Sequence, residues 1–504
     1  MKKYLFYYGT CFNQGFMGAL LDQAIYLAGD KNNKVAFAFC GGVNEICDFN
    51  REGSKSVCSV CKFFTKRILR KYDIDSVSLS EYMPNGTQDP ICDLLEYNNV
   101  DELLAKKYRG VHIGMSIMSS YISITRNMYP LIDSVSRKFF DVHLLQNIRF
   151  VDAFYALVDE YQPDEIWGYN GRYECDRPVY DVSRQLRLNF RLIEDVVRDG
   201  ISHRIIYENH LPHDIKMRTE QRKFCWEHYK MSEEEKIALG KSFYEKRRNG
   251  VFSGDKKIYI ADQNEGECPT MDPKKKNIAI MNSSEDEFTA VGNEWDKLKL
   301  FKNQYEGIIF LLENAPQNTH FYLRIHPNLK DIKYSYHTRL LSLDKKYNNV
   351  TVIPGNSTVS TYALMENSDA IVCFGSTMGI EASYWGKTSI LIGPSFYYYD
   401  NVSYIPKSKD EVVNYIKEIP KPLYNDNILK YGAFVLDMSP IYSNPHSLDW
   451  VSHERRFCGV DYYYTNYFNL FVSPQLTSFV MGSLRVLLGK FRRFTYPLKE
   501  DANW

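Results

Sequence analysis

The chain has 504 residues, more than a single hydrophobic core usually serves, so more than one domain is expected. Hydrophobic residues make up 44% and charged residues 25%, which excludes a globally disordered chain. Lys and Arg together number 62 and Asp and Glu 62, so there is no chain-wide basic field for nucleic acid to bind.

In chain order, MKKYLFYYGT lacks the apolar core and cleavage site of a signal peptide, and no apolar run approaches the ~20 residues of a spanning helix. A cytoplasmic location follows as the expectation. KYLFYYGT and KVAFAFCGG read as strands around the helix GFMGALLDQAIYLAGD. DEIWGYNGR is a later strand, followed by the helix RPVYDVSRQLRL and the strand NFRLIED, so residues 1–200 form one α/β domain. Residues 80–145 show no clear period.

The cysteines number eleven, an odd count scattered through a long chain, which favours reduced thiols over a disulfide framework. Cys40, Cys47, Cys58 and Cys61 cluster, the last two as C-x-x-C in the basic helix SKSVCSVCKFFTKRILRKY. No second close pair completes a zinc ligand set, so ordinary helix-face thiols are the expectation, with structural zinc the alternative.

Residues 201–275 are polar and charge-rich and read as a helical connection, including MSEEEKIALGKSFYEKRRNG. From 276 to 422 strand and helix alternate. NIAIMN, FYLRIHP, NVTVIPG, AIVCFGS and TSILIGP are strands, apolar enough to lie buried on both faces. Between them WDKLKLFKNQYEGIIFLLENAP, DIKYSYHTRLLSLDKKY, STVSTYALMENS (with a serine at its N-cap) and TMGIEASYWG read as helices, and KDEVVNYIKEI closes the series. This is the pattern of a doubly wound parallel sheet. The tail, 423–504, contains LTSFVMGSLRVLLGKFRRF, a basic amphipathic helix that suits either an anionic membrane surface or packing on the body of the protein.

Open α/β sheets bind ligands beyond the carboxyl ends of their strands. At those ends in the second domain stand Ser283 and Ser284, Arg324, His326 and Pro327, Gly355 and Asn356, and Gly375, Ser376 and Thr377. Glycine and hydroxyl residues at a strand-to-helix turn suit a phosphate, and the loop is neither a Walker A nor a GxGxxG sequence. Glu381, one turn further on, is a candidate for ribose hydroxyls. In the first domain the equivalent ends carry Thr10, Asn13 and Gln14, and then Asn170, Arg172, Glu174 and Asp176.

RIHP, the PGNS loop and FGSTMGIEASYWGK together resemble the nucleotide-binding half of bacterial capsule and surface-polysaccharide glycosyltransferases of the GT-B fold. They are also similar to Kdo transferases, bacterial sialyltransferases and CDP-glycerol glycerophosphotransferases. The resemblance covers residues 277–395 well and the first half in outline. It implies two Rossmann-like domains facing across a cleft, with His326, Ser376 and Thr377 on a nucleotide-sugar donor and SSEDEF as an inter-domain donor loop. The donor nucleotide is expected to be CMP-linked rather than UDP-linked, with no metal required. The implied function is transfer of a sugar to a surface glycan, capsule or lipopolysaccharide, or to its lipid-linked precursor, by an enzyme placed peripherally at the inner membrane. Thr10, Asn13, Gln14, Asn170 and Arg172 would hold the acceptor, and Glu174 or Asp176 would take its proton, in place of the D-D-G motif of sialyltransferases. A CDP-glycerol-type polyol-phosphate transferase, a sugar-nucleotide epimerase and a non-catalytic glycan-binding scaffold are the alternatives.

Overall fold

Apolar runs buried on both faces build two sheets in the computed structural model. It describes residues 1–10, 14–84, 91–198, 201–251, 258–438, 450–451, 456–457, 460–461, 497–501 and 504. The first sheet comprises β1 (Lys2–Tyr7), β2 (Asn33–Phe39), β3 (Asp75–Ser78), β4 (Glu165–Tyr169), β5 (Asn189–Arg198) and β6 (Ile201–Glu208). The second comprises β7 (Lys276–Met281), β8 (Thr319–Arg324), β9 (Val350–Ile353), β10 (Ala370–Cys373) and β11 (Thr388–Leu391). A short β12 (Trp450–Val451) adds antiparallel to β6, giving the orders β12-β6-β5-β4-β1-β2-β3 and β11-β10-β7-β8-β9.

Every pairing in the second sheet is parallel. The first is parallel from β3 through β5 and ends in the antiparallel β5–β6 hairpin. Both are the doubly wound sheets expected, and the chain is a pair of Rossmann-like α/β domains, the GT-B architecture. Strand β6 lies in the stretch read from sequence as connection, so the first sheet continues past residue 200.

Helices cover both faces of the first sheet. Phe6 stacks between Phe37 at 6.1 Å and Trp167 at 5.6 Å on one face, while on the other Tyr7 meets Phe150 edge-on at 5.3 Å. Phe150 belongs to the long helix Ser134–Tyr161, capped by Asp133, which sits with helix Ile113–Thr125 in the region that showed no clear period. Helix Ile113–Thr125 is buried almost all round, so it has no polar stripe for a period to reveal.

In the second domain Ser360 caps helix Thr361–Asn367 as expected. The stretch 295–316 does not form one helix. It divides into Asn293–Lys297 and Gln304–Asn314, because the Asn303 side chain accepts the Glu306 N–H and opens a new helix there.

Two segments tie the domains together. Helix Ile215–His228 carries Arg222, which pairs with Asp400 at 2.5 Å and also donates to the Phe396 carbonyl. Residues 497–501 and Trp504 bridge the halves. The Leu498 N–H donates to the Tyr121 hydroxyl at 3.1 Å, Glu500 accepts from Ser335, and Trp504 stacks on Tyr129 at 4.6 Å. The basic amphipathic stretch read at 476–494 lies outside the described residues. Among the described residues no helix is long and apolar enough to cross a membrane.

Burial pushes the Asp400 carboxyl up and the Arg222 guanidinium down, so each charge depends on the other. Replacing Asp400 by Asn is expected to lower stability by about 3 kcal/mol, because Arg222 is left as an uncompensated buried charge. Urea unfolding measures it, and a midpoint unchanged from wild type would contradict the account.

Candidate functional site

In the second sheet the chain order reverses between β7 and its neighbour β10. The loops leaving those two strands therefore splay apart and open a crevice. A cavity of about 400 Å³ occupies it, lined by Ser283, Ser284, Arg324, His326, Pro327, Gly375, Ser376 and Thr377. These eight of the expected donor residues come together.

The His326 backbone N–H donates to Asn282 at 2.7 Å, which fixes the end of β8. Its Nδ1 accepts the Asn328 N–H at 3.2 Å, so in the neutral ring the proton sits on Nε2 and makes that nitrogen a donor. Gly375 has φ +132°, and a Cβ there would stand 2.9 Å from the Pro394 carbonyl and 3.3 Å from Ser283 Oγ. Only glycine fits, and it lets the 375–377 backbone lie against the 283–284 loop.

Gly355 and Asn356 do not line the cavity. A Cβ on Gly355 would press on the His326 carbonyl at 3.0 Å, so this loop supports the histidine from behind. Arg324 lines the cavity, yet its guanidinium donates to the carbonyls of Pro354 at 2.9 Å and Ser357 at 3.2 Å. It braces that supporting loop, and burial lowers its pKa to about 10.

Glu381 lies away from the cavity lining. It is fully buried, accepting from Arg247 at 2.9 Å and from the Tyr362 hydroxyl at 2.5 Å, and it does not face the cavity. It orients Arg247, whose other nitrogen reaches the Thr377 hydroxyl at 3.1 Å within the lining. Arg247 ends helix Glu233–Arg248 in the stretch read as connection. The signal available was its basic last turn, RR, after a strong capping box at Ser232 and Glu235. His213, Arg218, Tyr259, Gln263 and Phe396 are further lining residues the sequence did not single out.

The expected acceptor residues are placed differently. Asn170 and Arg172 form a tight turn in which the Asn170 side chain bonds Glu194 and accepts the Arg172 N–H at 3.1 Å. Arg172 then crosses to the second domain and donates to the Glu287 carbonyl at 2.8 Å. Arg177 does the same to Val291 at 3.0 Å, and Arg126 pairs with Asp286 at 2.5 Å and donates to Ser284 at 2.8 Å. SSEDEF is thus held by two arginines of the first domain, and a third holds Val291 just beyond it. Thr10 lies beside Cys61 in a separate small pocket, Gln14 starts helix Gln14–Ala28, and Asn13 lies outside the described residues.

Neither candidate base lines the large cavity. Glu174 is 4% exposed, with its oxygens held by His143 at 2.8 Å and Gln146 at 2.5 Å, which ties β4 to helix Ser134–Tyr161. Asp176 is 6% exposed at the start of helix Arg177–Gln185, and burial holds its carboxyl well above the usual range. On the first domain's wall of the cavity stand Glu194, His213 and Arg218 instead. Burial, with Arg172, Arg218 and Arg177 nearby, holds His213 well below the ordinary histidine value, so it is neutral at pH 7.

The crevice, its hydroxyl and glycine loops, and the side chains of His326, Arg218, Arg247 and Arg324 thus meet at the switch point of the second of two Rossmann-like sheets. No protein-family model matches the sequence, and no curated protein does. Solved structures resemble it distantly. A β-Kdo 2,4-transferase, KpsC, of Thermosulfurimonas dismutans is 14% identical, covering 54% of this chain and 79% of that one with a TM-score of 0.34. The UDP-GlcNAc 2-epimerase of Neisseria meningitidis is 11% identical, covering 89% and 97% with a TM-score of 0.24. The spinosyn rhamnosyltransferase SpnG is 9% identical, covering 87% and 95% with a TM-score of 0.21. Scores this low assign no activity.

Glu285, in the inter-domain loop, is pushed up to about 7 by burial. A carboxyl whose folded pKa is raised binds more protons folded than unfolded. Its contribution to stability is therefore full below pH ~4.3 and lost as pH rises through ~7. Glu285→Gln is expected to flatten this loss in thermal midpoints taken from pH 5 to 8; a slope identical to wild type would contradict it.

Proposed function

We propose that this protein is a glycosyltransferase that binds a nucleotide-sugar in the crevice at β7 and β10. It transfers the sugar to a surface glycan or its lipid-linked precursor. The observation that carries the reading is the convergence of His326 and the 375–377 loop with Arg247 on one cavity. Two donor-rich loops and a buried guanidinium suit the phosphates of a nucleotide and the negative charge that gathers on them as the sugar departs.

The pieces divide the work. His326 Nε2 and the hydroxyls of Ser376 and Thr377 donate to phosphate oxygens. Arg247, held by Glu381, supplies positive charge that a flexible surface arginine would have to be ordered to provide. The acceptor enters from the wall formed by Glu194, His213 and Arg218. Of these three, His213 is neutral at pH 7 and is assigned to take the proton of the acceptor hydroxyl. Transfer of a polyol phosphate in place of a sugar would use the same phosphate contacts, and product analysis separates a phosphodiester from a glycosidic bond.

Thermal unfolding against CMP, CDP, UDP, GDP and TDP tests the site and reads the base at once. A nucleotide at about 100 times its dissociation constant stabilises the fold by about 2.7 kcal/mol, and His326→Ala or Arg247→Ala is expected to abolish the shift. If no nucleotide shifts the wild type, the reading fails and a non-catalytic glycan scaffold takes its place. Once the donor is known, His213→Ala is expected to lower turnover about 10²- to 10⁴-fold while nucleotide binding persists. Unchanged turnover would remove His213 from the chemistry.

A further inference from the structure

Helix Lys55–Lys71 connects β2 to β3 on one face of the first sheet, and only one side of it is committed to the core. Val57, Thr65, Ile68 and Leu69 are buried, and Cys61 and Phe64 pack against the core of the sheet. These residues recur at helical spacing and set the inward side. The thiols of the helix form no metal site: among the described residues no three Cys, His, Asp or Glu side chains are placed to hold an ion. What the helix offers lies on its opposite side.

Lys55, Ser59, Phe63, Lys66 and Arg70 follow one another at helical steps of three or four residues, so they share one stripe, and each is exposed. Six of the helix's 17 residues are Lys or Arg, and none is Asp or Glu. Midway along stands Phe63, 59% exposed, with Phe64 edge-on at 5.5 Å and the Arg67 guanidinium 6.0 Å from its ring. Glu81 meets the stripe 3.5 Å from Lys66, but both side chains are exposed and such a pair is worth little. An exposed phenyl by itself means little. One standing midway along an acid-free cationic stripe is the combination an anionic bilayer binds: headgroups take the cations and the acyl boundary takes the ring.

We propose that this side of helix Lys55–Lys71 docks on an anionic lipid membrane, with Lys55, Lys66 and Arg70 at the headgroups and Phe63 inserted below them. The match is one of charge and of depth. Near such a surface each Lys or Arg raises affinity about fivefold, and a phenyl ring taken out of water raises it about tenfold or more. The chain as a whole has a formal net charge of zero, so the attraction belongs to this face and orients the protein on the surface. Membrane contact thus falls to a helix of the first domain, where the sequence pointed to residues 476–494. The docking face rests on nothing in the nucleotide reading.

Sedimentation of the full chain with lipid vesicles tests it. The wild type is expected to bind vesicles of phosphatidylglycerol mixed with phosphatidylcholine at least about tenfold more tightly than phosphatidylcholine alone, and added salt is expected to weaken that binding. Phe63→Ser is expected to cost about tenfold, and Lys66→Gln or Arg70→Gln about fivefold each. Phe224→Ser removes a ring that is 60% exposed on helix Ile215–His228 and is expected to leave the affinity unchanged. Thermal midpoints of these surface variants are expected to stay at the wild-type value. No binding to either vesicle, or equal binding to both, overturns the proposal. So does wild-type affinity in the double variant Phe63→Ser, Arg70→Gln, which would pass the contact to residues 476–494. Nucleotide-dependent stabilisation read on the same samples reports the other site separately.

Discussion

Three arginines of the first domain end on one loop of the second, and that loop carries Ser284 and Glu287 on the cavity wall. Arg126, Arg172 and Arg177 meet Ser284, Asp286, Glu287 and Val291, a run of eight residues leaving β7. Two of these bonds go to backbone carbonyls. Their targets survive side-chain change, and they fix where the loop lies rather than which residues it carries. The ion pair to Asp286 is the costly contact, since that carboxylate is 4% exposed and has given up its water. Its second partner, the Ser284 hydroxyl at 2.9 Å, helps offset the loss.

From that anchored loop the site builds outward by support rather than by direct reach. Gly355 leaves room for the His326 carbonyl, Arg324 holds the Gly355 loop, and Glu381 aims Arg247. Buried residues of this kind set the geometry of the few that face the cavity. A functional group is only as well placed as the side chains behind it.

Local chemistry was readable in the sequence, and long-range chemistry was not. The strands of the second domain announced themselves as short apolar runs closed by glycine, proline or asparagine, and the strand-end residues His326, Ser376 and Thr377 do line one cavity. Glu381, Glu174 and Arg172 carry charges at the right strand ends, yet each spends its charge on a partner 31 to 134 residues away along the chain. No local pattern encodes such pairing. Arg247 was missed for the complementary reason: a helix read as connection gave no hint that its last turn returns to the sheet. The antiparallel β6 follows β5 with no helix between them, so the alternation of strand and helix does not reveal it.

Residues 497–501 and Trp504 give the two-domain arrangement a mechanical property. Leu498 is fastened to the first domain at Tyr121 and Asn127, while Glu500 and Trp504 are fastened to the second at Ser335. A short strap pinned at both ends permits rotation about itself far more readily than separation. Its anchors at Asn127 and Tyr129 adjoin Arg126, which holds Ser284 on the cavity wall, so strain on the strap reaches the cavity within three residues.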